Sequence, residues 1–323
     1  MPSALPAFVE DLGAGIHAID TGFQRPQFDA GYLVVHNGRA AFIDTGTNHA
    51  VPRLLAALDA LGLPRGAVDY VIPTHVHLDH AGGAGLLMRE LPGATMLVHP
   101  RGAPHMIDPG ALVAGALAVY GAAEMERSYG TPVGVDEARV RVSHDSMDLV
   151  LGGDRVLHFI DTPGHARHHH GVWDRATRGW FTGDTFGSSY PEHRNARGAW
   201  MFPTTVPSQF EPVALRATVQ RLLSFEPACM YVTHYGRLID VQRLGARLLA
   251  VLDAMVGIGQ SHCAVPDRHA TLKRQFTALY AASLREHGIA PTPATLALLE
   301  IDIELNAQGM GGWLDREAKR AAA

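Results

Sequence analysis

Two residue types are almost absent from this chain. Cysteine occurs twice in 323 residues, at Cys229 and Cys263, and lysine twice, at Lys273 and Lys319. Two thiols allow one bridge at most, which is no disulfide framework, and each reads as a small buried apolar residue. A metal bound by so thiol-poor a chain takes nitrogen and oxygen ligands. Excess positive charge is lacking too: 27 Lys and Arg stand against 32 Asp and Glu, a net charge of −5. That balance argues against a basic surface for nucleic acid or anionic membrane. Long apolar runs are missing; the nearest, Ala111–Ala123, is too short and glycine-broken to span a bilayer. The opening MPSALPAFVEDLGAG sets Glu10 and Asp11 where a signal peptide needs apolar residues, so a cytoplasmic protein is expected. With 47% hydrophobic and 18% charged residues, a buried core is affordable and disorder is excluded.

The apolar runs are short and ordered. GYLVVHNGRAAFIDTG, 31–46, reads as a hairpin turning at Asn37-Gly38. VPRLLAALDALG, 51–62, has helical spacing with Gly62 as its C-cap. VDYVIPT and ATMLVHP read as strands separated by a helix that starts at GGAGLLMREL. Residues 101–137 read as helical around ALVAGALAVYGAAEMERSY and interrupt the strand series. DEARVRV, MDLVL, RVLHFIDT, RGWFTGDT and ACMYVTH are further strands, and 186–212 is loop-like. From Val241 to Gln308 the pattern is helical. The expected organisation is an α/β domain over 1–239 and a helical C-terminal extension over 240–323, acting as lid or dimer interface.

Histidine, with 19 copies, is what the chain does have. THVHLDH, 74–80, places His75, His77, Asp79 and His80 between a strand and a glycine-opened helix. Four such groups converging in a folded interior need a compensating cation, and a divalent metal with neutral imidazole and carboxylate ligands supplies it. The alternative is a solvated polar loop. Three later strands repeat the design: RVLHFIDT runs on to His165, RGWFTGDT ends on Asp184, and ACMYVTH ends on His234. Each places a ligand-type residue just past an apolar run, where adjacent strands can bring side chains together.

This order of residues resembles the metallo-β-lactamase-fold superfamily, whose pattern is HxHxDH followed by His, Asp and His at successive strand ends. The resemblance covers roughly 31–236. It implies a four-layer αββα sandwich with the site at one edge of the two sheets. By that resemblance one metal takes His75, His77 and His165, the second takes Asp79, His80 and His234, and Asp184 bridges them. Asp79 and Asp184, with metal-bound hydroxide, then carry the catalysis. Asp44 in FIDTG matches an early aspartate that orients the HxHxDH loop, and His169 matches a supporting histidine beside the ligands. His168 and His170 face solvent or packing. Two divalent ions against two aspartates leave a pocket floor near +2, which favours anions and lowers the pKa of a bridging water towards ~7. The reaction implied is hydrolysis of an ester, thioester, lactone, amide or phosphodiester in a small anionic substrate. Zinc leads as the metal, with iron and manganese as alternatives.

Absences narrow the family. Zinc β-lactamases usually lack the bridging aspartate and often carry cysteine at the second metal. Flavodiiron proteins have glutamate where this chain has His77. Hydroxyacylglutathione hydrolases share the helical C-terminal region, but their basic glutathione grip is not identifiable here; Lys273-Arg274 is the nearest candidate. Quorum-lactone hydrolases place a tyrosine where this chain has Gly187, and Tyr190 is out of register. Tyr190 and His193, close after Asp184, are the candidate substrate-binding residues. An iron-dependent oxidoreductase on the same scaffold is the alternative activity, and a homodimer is a further expectation.

Overall fold

Two mixed sheets organise the computed structural model, which describes residues 4–322. The first runs in chain order through β1 (Val9–Asp11), β2 (Ile16–Asp20), β3 (Ala30–His36), β4 (Arg39–Ile43), β5 (Val68–Ile72), β6 (Thr95–Val98) and β7 (Val140–Val142). The second also follows chain order, through β8 (Met147–Leu151), β9 (Arg155–Asp161), β10 (His170–Asp174), β11 (Gly179–Gly183), β12 (Cys229–Val232) and β13 (Gly236–Leu238). The expected α/β sandwich class with a helical C-terminal extension is what the chain adopts.

Packing divides the chain into two compact units. The first holds the chain up to Asp161, His168–Gly183 and Pro227–Ile239. The second holds Thr162–Arg167, Asp184–Glu226 and the chain from Asp240 onward.

In the first unit the inner strands β3, β4 and β6 are buried at most positions and mostly apolar, whereas β1 and β7 at the two edges are largely exposed. Leu33 and Phe42 pack with Leu54 and Leu58 of the helix Val51–Ala60 and with Leu87 of the helix Ala84–Glu90. Their neighbours Tyr32, Val34 and Ile43 point the other way and meet Leu157, Phe159, Phe181 and Tyr231 of the second sheet. The period-2 alternation of side chains makes these two cores from one hairpin. Asn37 and Gly38 close it with φ of +48° and +73°, the left-handed pair that this short turn requires. In the second unit, Trp200, Phe202 and Tyr280 form an aromatic cluster with ring centroids 5.2–5.9 Å apart. Around it run the helices Val241–Ser261, Arg268–His287 and Glu300–Ala321.

Strand direction gathers the chemistry. β4 and β5 are parallel, so Asp44 and the 74–80 loop emerge at the same end of the first sheet. In the second sheet β9 and β10 are antiparallel, β10 and β11 antiparallel, and β11 and β12 parallel. The ends of β9, β11 and β12 and the start of β10 therefore share one edge. Two backbone hydrogen bonds join that edge to the first sheet: His170 N to Thr74 O and Ala30 N to Thr233 O, both 2.9 Å.

Several expectations need correction. Residues 101–137 do not form one long helical segment: Ala103–Ile107 and Gly110–Tyr120 are separated around Pro109, and Gly121 at φ +78° ends the second. Cys229 is buried but Cys263 is exposed, in the turn between two helices. β1, β2, β10 and β13 were not evident in the sequence; they are three to five residues long and lack an alternating pattern. Among the described residues no helix is long and apolar enough to cross a membrane.

His170, fully buried at the start of β10, shares a 2.7 Å hydrogen bond through Nδ1 with Ser143 Oγ. Burial, with His99 nearby, pushes its imidazole down to about 3. Between pH ~6.5 and 3 the unfolded chain holds a proton there that the folded chain does not. Stability from this residue is therefore complete above pH ~6.5 and is lost as pH falls towards 3. In chelator-treated protein, His170→Asn is expected to shrink the drop in Tm between pH 7.5 and 4.5. An unchanged drop in thermal melts contradicts this assignment.

Candidate metal centre

Asp44 follows β4 in the left-handed region, at φ +54°, a conformation aspartate tolerates better than most side chains. Its carboxylate is 1% exposed and accepts four hydrogen bonds. Thr74 N donates at 2.7 Å, Thr74 Oγ1 at 2.9 Å, Thr233 Oγ1 at 2.8 Å and His80 Nδ1 at 2.8 Å. These donors come from the loops after β5 and β12, so one buried anion holds both.

Each hydrogen bond also decides which nitrogen of a histidine is left to act. His80 gives its Nδ1 proton to Asp44, which leaves Nε2 as a lone pair. That Nε2 lies 3.7 Å from Asp79 Oδ2. His234 donates Nδ1–H to Phe28 O at 2.9 Å, and its Nε2 lies 3.5 Å from the same Asp79 oxygen. Asp79, His80 and His234 bring ligand atoms within 4.8 Å of one another. His75 Nδ1 lies 3.2 Å from Thr74 Oγ1, whose own proton goes to Asp44. The other nitrogen of His75 sits 2.8 Å from His77 Nδ1.

The second unit repeats this arrangement. His165 Nδ1–H donates to Thr204 O at 3.3 Å, and its Nε2 lies 3.2 Å from Asp184 Oδ2. Asp184 directly follows Gly183, the last residue of β11.

In both units, then, imidazole lone pairs point at a carboxylate oxygen across 3.2–3.7 Å. Two electron-rich atoms facing each other in a buried site repel, and a cation between them turns the repulsion into coordination. The donor set of neutral imidazole and carboxylate, with Nδ1 of His80, His165 and His234 hydrogen-bonded, fits a divalent metal.

His169 is fully buried and its ring stacks on His75, centroids 4.8 Å apart. His168 and His170 are buried too, so neither faces solvent. Tyr190 is 1% exposed and donates to Asp302 Oδ1 at 2.9 Å. His193 is fully buried, with Nε2 donating to Thr295 O at 3.4 Å and its ring against Trp200.

Sequence reasoning missed Thr74, Thr233, Thr204 and Asp29. The threonines beside His75 and His234 stood inside the quoted motifs and could have been weighed as supports; Asp29 carried no signal. Asp29 is completely buried and neither of its oxygens finds a hydrogen-bond partner. Burial raises its carboxyl to about 8, while His234 and His80 pull the other way. Beside it Phe28 packs on the His234 ring at 5.4 Å and Phe23 on Phe28 at 5.8 Å. Phe23 also lines a cavity of about 210 Å³ with Thr21, Gln24, Thr47, His49 and Ser128.

Replacing Asp44 strands three hydroxyl or amide donors and an imidazole in a dry site. Asp44→Ala is expected to destabilise the protein by ~2–4 kcal/mol in urea melts. Metal affinity in a chelator competition should fall ~10–100-fold. A variant with normal stability and normal metal affinity contradicts the role described for this carboxylate.

Comparison with known proteins adds an independent line. The family model of the Metallo-beta-lactamase superfamily matches residues 30–234, from the start of β3 to the last candidate ligand. The metallo-beta-lactamase fold-containing protein ST1585 of Sulfurisphaera tokodaii is 25% identical over 232 residues, 69% of this chain and 78% of that protein. Its crystal structure superposes with a TM-score of 0.60 at 22% identity, covering 85% of this chain and 99% of the other. A beta-lactamase domain protein from Burkholderia ambifaria gives a TM-score of 0.65 at 16% identity, covering 98% and 90%. The chemotaxis sensor ODP, solved as a peroxy diiron species, gives 0.53 at 16% identity, covering 75% and 93%. The matched span includes the HxHxDH loop, both later histidines and Asp184, and it is the span in which the buried donors are held from behind. The chain belongs to the metallo-beta-lactamase superfamily.

Proposed function

We propose that the chain is a dinuclear metal-dependent hydrolase acting on an ester, thioester, lactone or phosphodiester of a small anionic substrate. In this reading His75, His77 and His165 hold one ion, Asp79, His80 and His234 hold the other, and Asp184 bridges. The observation that carries it is the repeated orientation of imidazole Nε2 atoms toward Asp79 and Asp184, each ring fixed by a hydrogen bond at Nδ1. Such bonds fix the tautomer and raise ligand basicity.

Divalent ions bound by these donors lower the pKa of water towards ~7 and polarise a carbonyl or phosphoryl oxygen. The chain's own residues do the rest. Asp79 and Asp184 return two negative charges against four, so an anionic group is attracted to the floor.

Metal analysis of purified protein, combined with thioester, lactone and phosphodiester substrates, tests the proposal. Two ions per chain are expected, with hydrolysis abolished by chelation and restored by zinc. Asp184→Asn should lower kcat/KM by more than ~100-fold, beyond the ~10–100-fold typical of residues that only support a ligand. Less than one ion per chain, with chelation changing nothing, overturns the proposal. Bound iron with oxygen consumption and no hydrolysis replaces it with the oxidative activity.

A further inference from the structure

The family match ends at His234, yet two of the proposed ligands are braced by a helix some seventy residues later. We infer that Asn306, on the helix Glu300–Ala321, is a positioning residue for His165 and Asp184. The inference rests on the dinuclear reading above.

Asn306 is 1% exposed and both ends of its amide are engaged. Its Oδ1 accepts from Thr205 N at 2.7 Å, and its Nδ2 donates to Pro203 O at 3.0 Å and to Tyr280 Oη at 2.7 Å. The amide meets both needs of this segment from its two ends: Thr205 N is a donor, Pro203 O is an acceptor, and they lie two residues apart. Thr205 Oγ1 returns a bond to Asn306 O at 3.2 Å. The residue between them is Thr204, which reaches both ligands. Its carbonyl accepts from His165 Nδ1, its Oγ1 lies 3.2 Å from the same nitrogen, and its Oγ1 donates to Asp184 O at 3.0 Å. Paired backbone bonds between Ser188 and Phe202, 2.9 and 3.1 Å, tie the chain after Asp184 to the same segment.

Gly309, one turn along the helix from Asn306, keeps the approach close. A Cβ there would meet Thr205 Oγ1 at 2.1 Å and Val206 N at 2.8 Å. The helix backbone thus lies against 205–206 while Asn306 fixes 203–205. With Thr204 held, His165 keeps its proton on Nδ1 and turns Nε2 toward Asp184. Without that hold, His165 can rotate or exchange tautomers, and its basic nitrogen no longer faces the carboxylate.

Asn306→Ala and Gly309→Ala perturb the segment independently, the first by removing the amide and the second by wedging the helix away. Leu284→Ala, in a fully buried position of the helix Arg268–His287, is the stability-matched control. Two readouts are taken. In chelator competition with zinc, both test variants should weaken the ion that His165 holds ~10–100-fold, and the other ion, which shares only Asp184, by less. In metal-free protein, imidazole 15N NMR should show His165 as the Nδ1–H tautomer in the parent and the control, and as a mixture in the variants. Unchanged zinc affinity with an unchanged tautomer overturns the inference, as does equal loss in Leu284→Ala. A parent that binds no zinc but whose variants shift the tautomer removes the hydrolase reading and leaves the positioning role standing. If Asn306→Ala does not fold, Gly309→Ala decides by the same criteria.

Discussion

One buried carboxylate organises half of the candidate centre. Asp44 sits in a left-handed backbone conformation that aims it away from its own strand and into the space behind the 74–80 loop. Four donors converge on it from two loops, and none can be returned to water in the folded chain. Removing the anion would leave donors buried and unsatisfied, which is more costly than never having had the bonds. The arrangement is therefore all-or-nothing. Either Thr74, His80 and Thr233 are all held, with His75 ordered behind Thr74, or the loop loses its reason to take this shape.

The consequence reaches the ligand nitrogens. An imidazole has two, and a bond at one determines what the other can do. Asp44 and the Phe28 carbonyl in the first unit, and the Thr204 carbonyl in the second, each take an Nδ1 proton. All three leave a lone pair on the opposite nitrogen, and all three lone pairs face carboxylates. In the neutral rings those lone pairs repel the carboxylates they face, and a bound metal ion uses the same geometry directly. The family assignment agrees with this reading without specifying the substrate, since the solved relatives at 16–22% identity share the fold.

The second unit contributes more than added length. Tyr190 bonds to Asp302, Trp200 Nε1 donates to Ser283 Oγ at 2.9 Å, and Asn306 pins 203–205, so the long segment after Asp184 is stitched to helices at several points. A loop that presents a candidate metal ligand gains from being stiff, because a small misplacement of such a group is costly. A helical extension answers that need in a chain with no disulfide framework.

Much of the centre was legible before any coordinates. His75, His77, Asp79 and His80 are local in sequence, and His165, Asp184 and His234 each end a recognisable apolar run; strand character and residue type are properties of short segments. The same locality explains the reading of the hairpin at Asn37-Gly38, where the turn chemistry is carried by two residues. What the sequence could not contain is the pairing of distant polar groups. Thr233 lies 189 residues from Asp44 and Asn306 lies 101 from Thr205, and neither spacing leaves a period or motif. β10 escaped notice because it is buried on both faces and shows no alternation, and Asp29 because its surroundings are assembled from several loops. The sequence by itself determined which donors stand at which strand ends. Only the tertiary structure decided which nitrogen of each ring faces inward, because that choice belongs to whichever distant oxygen takes the other proton.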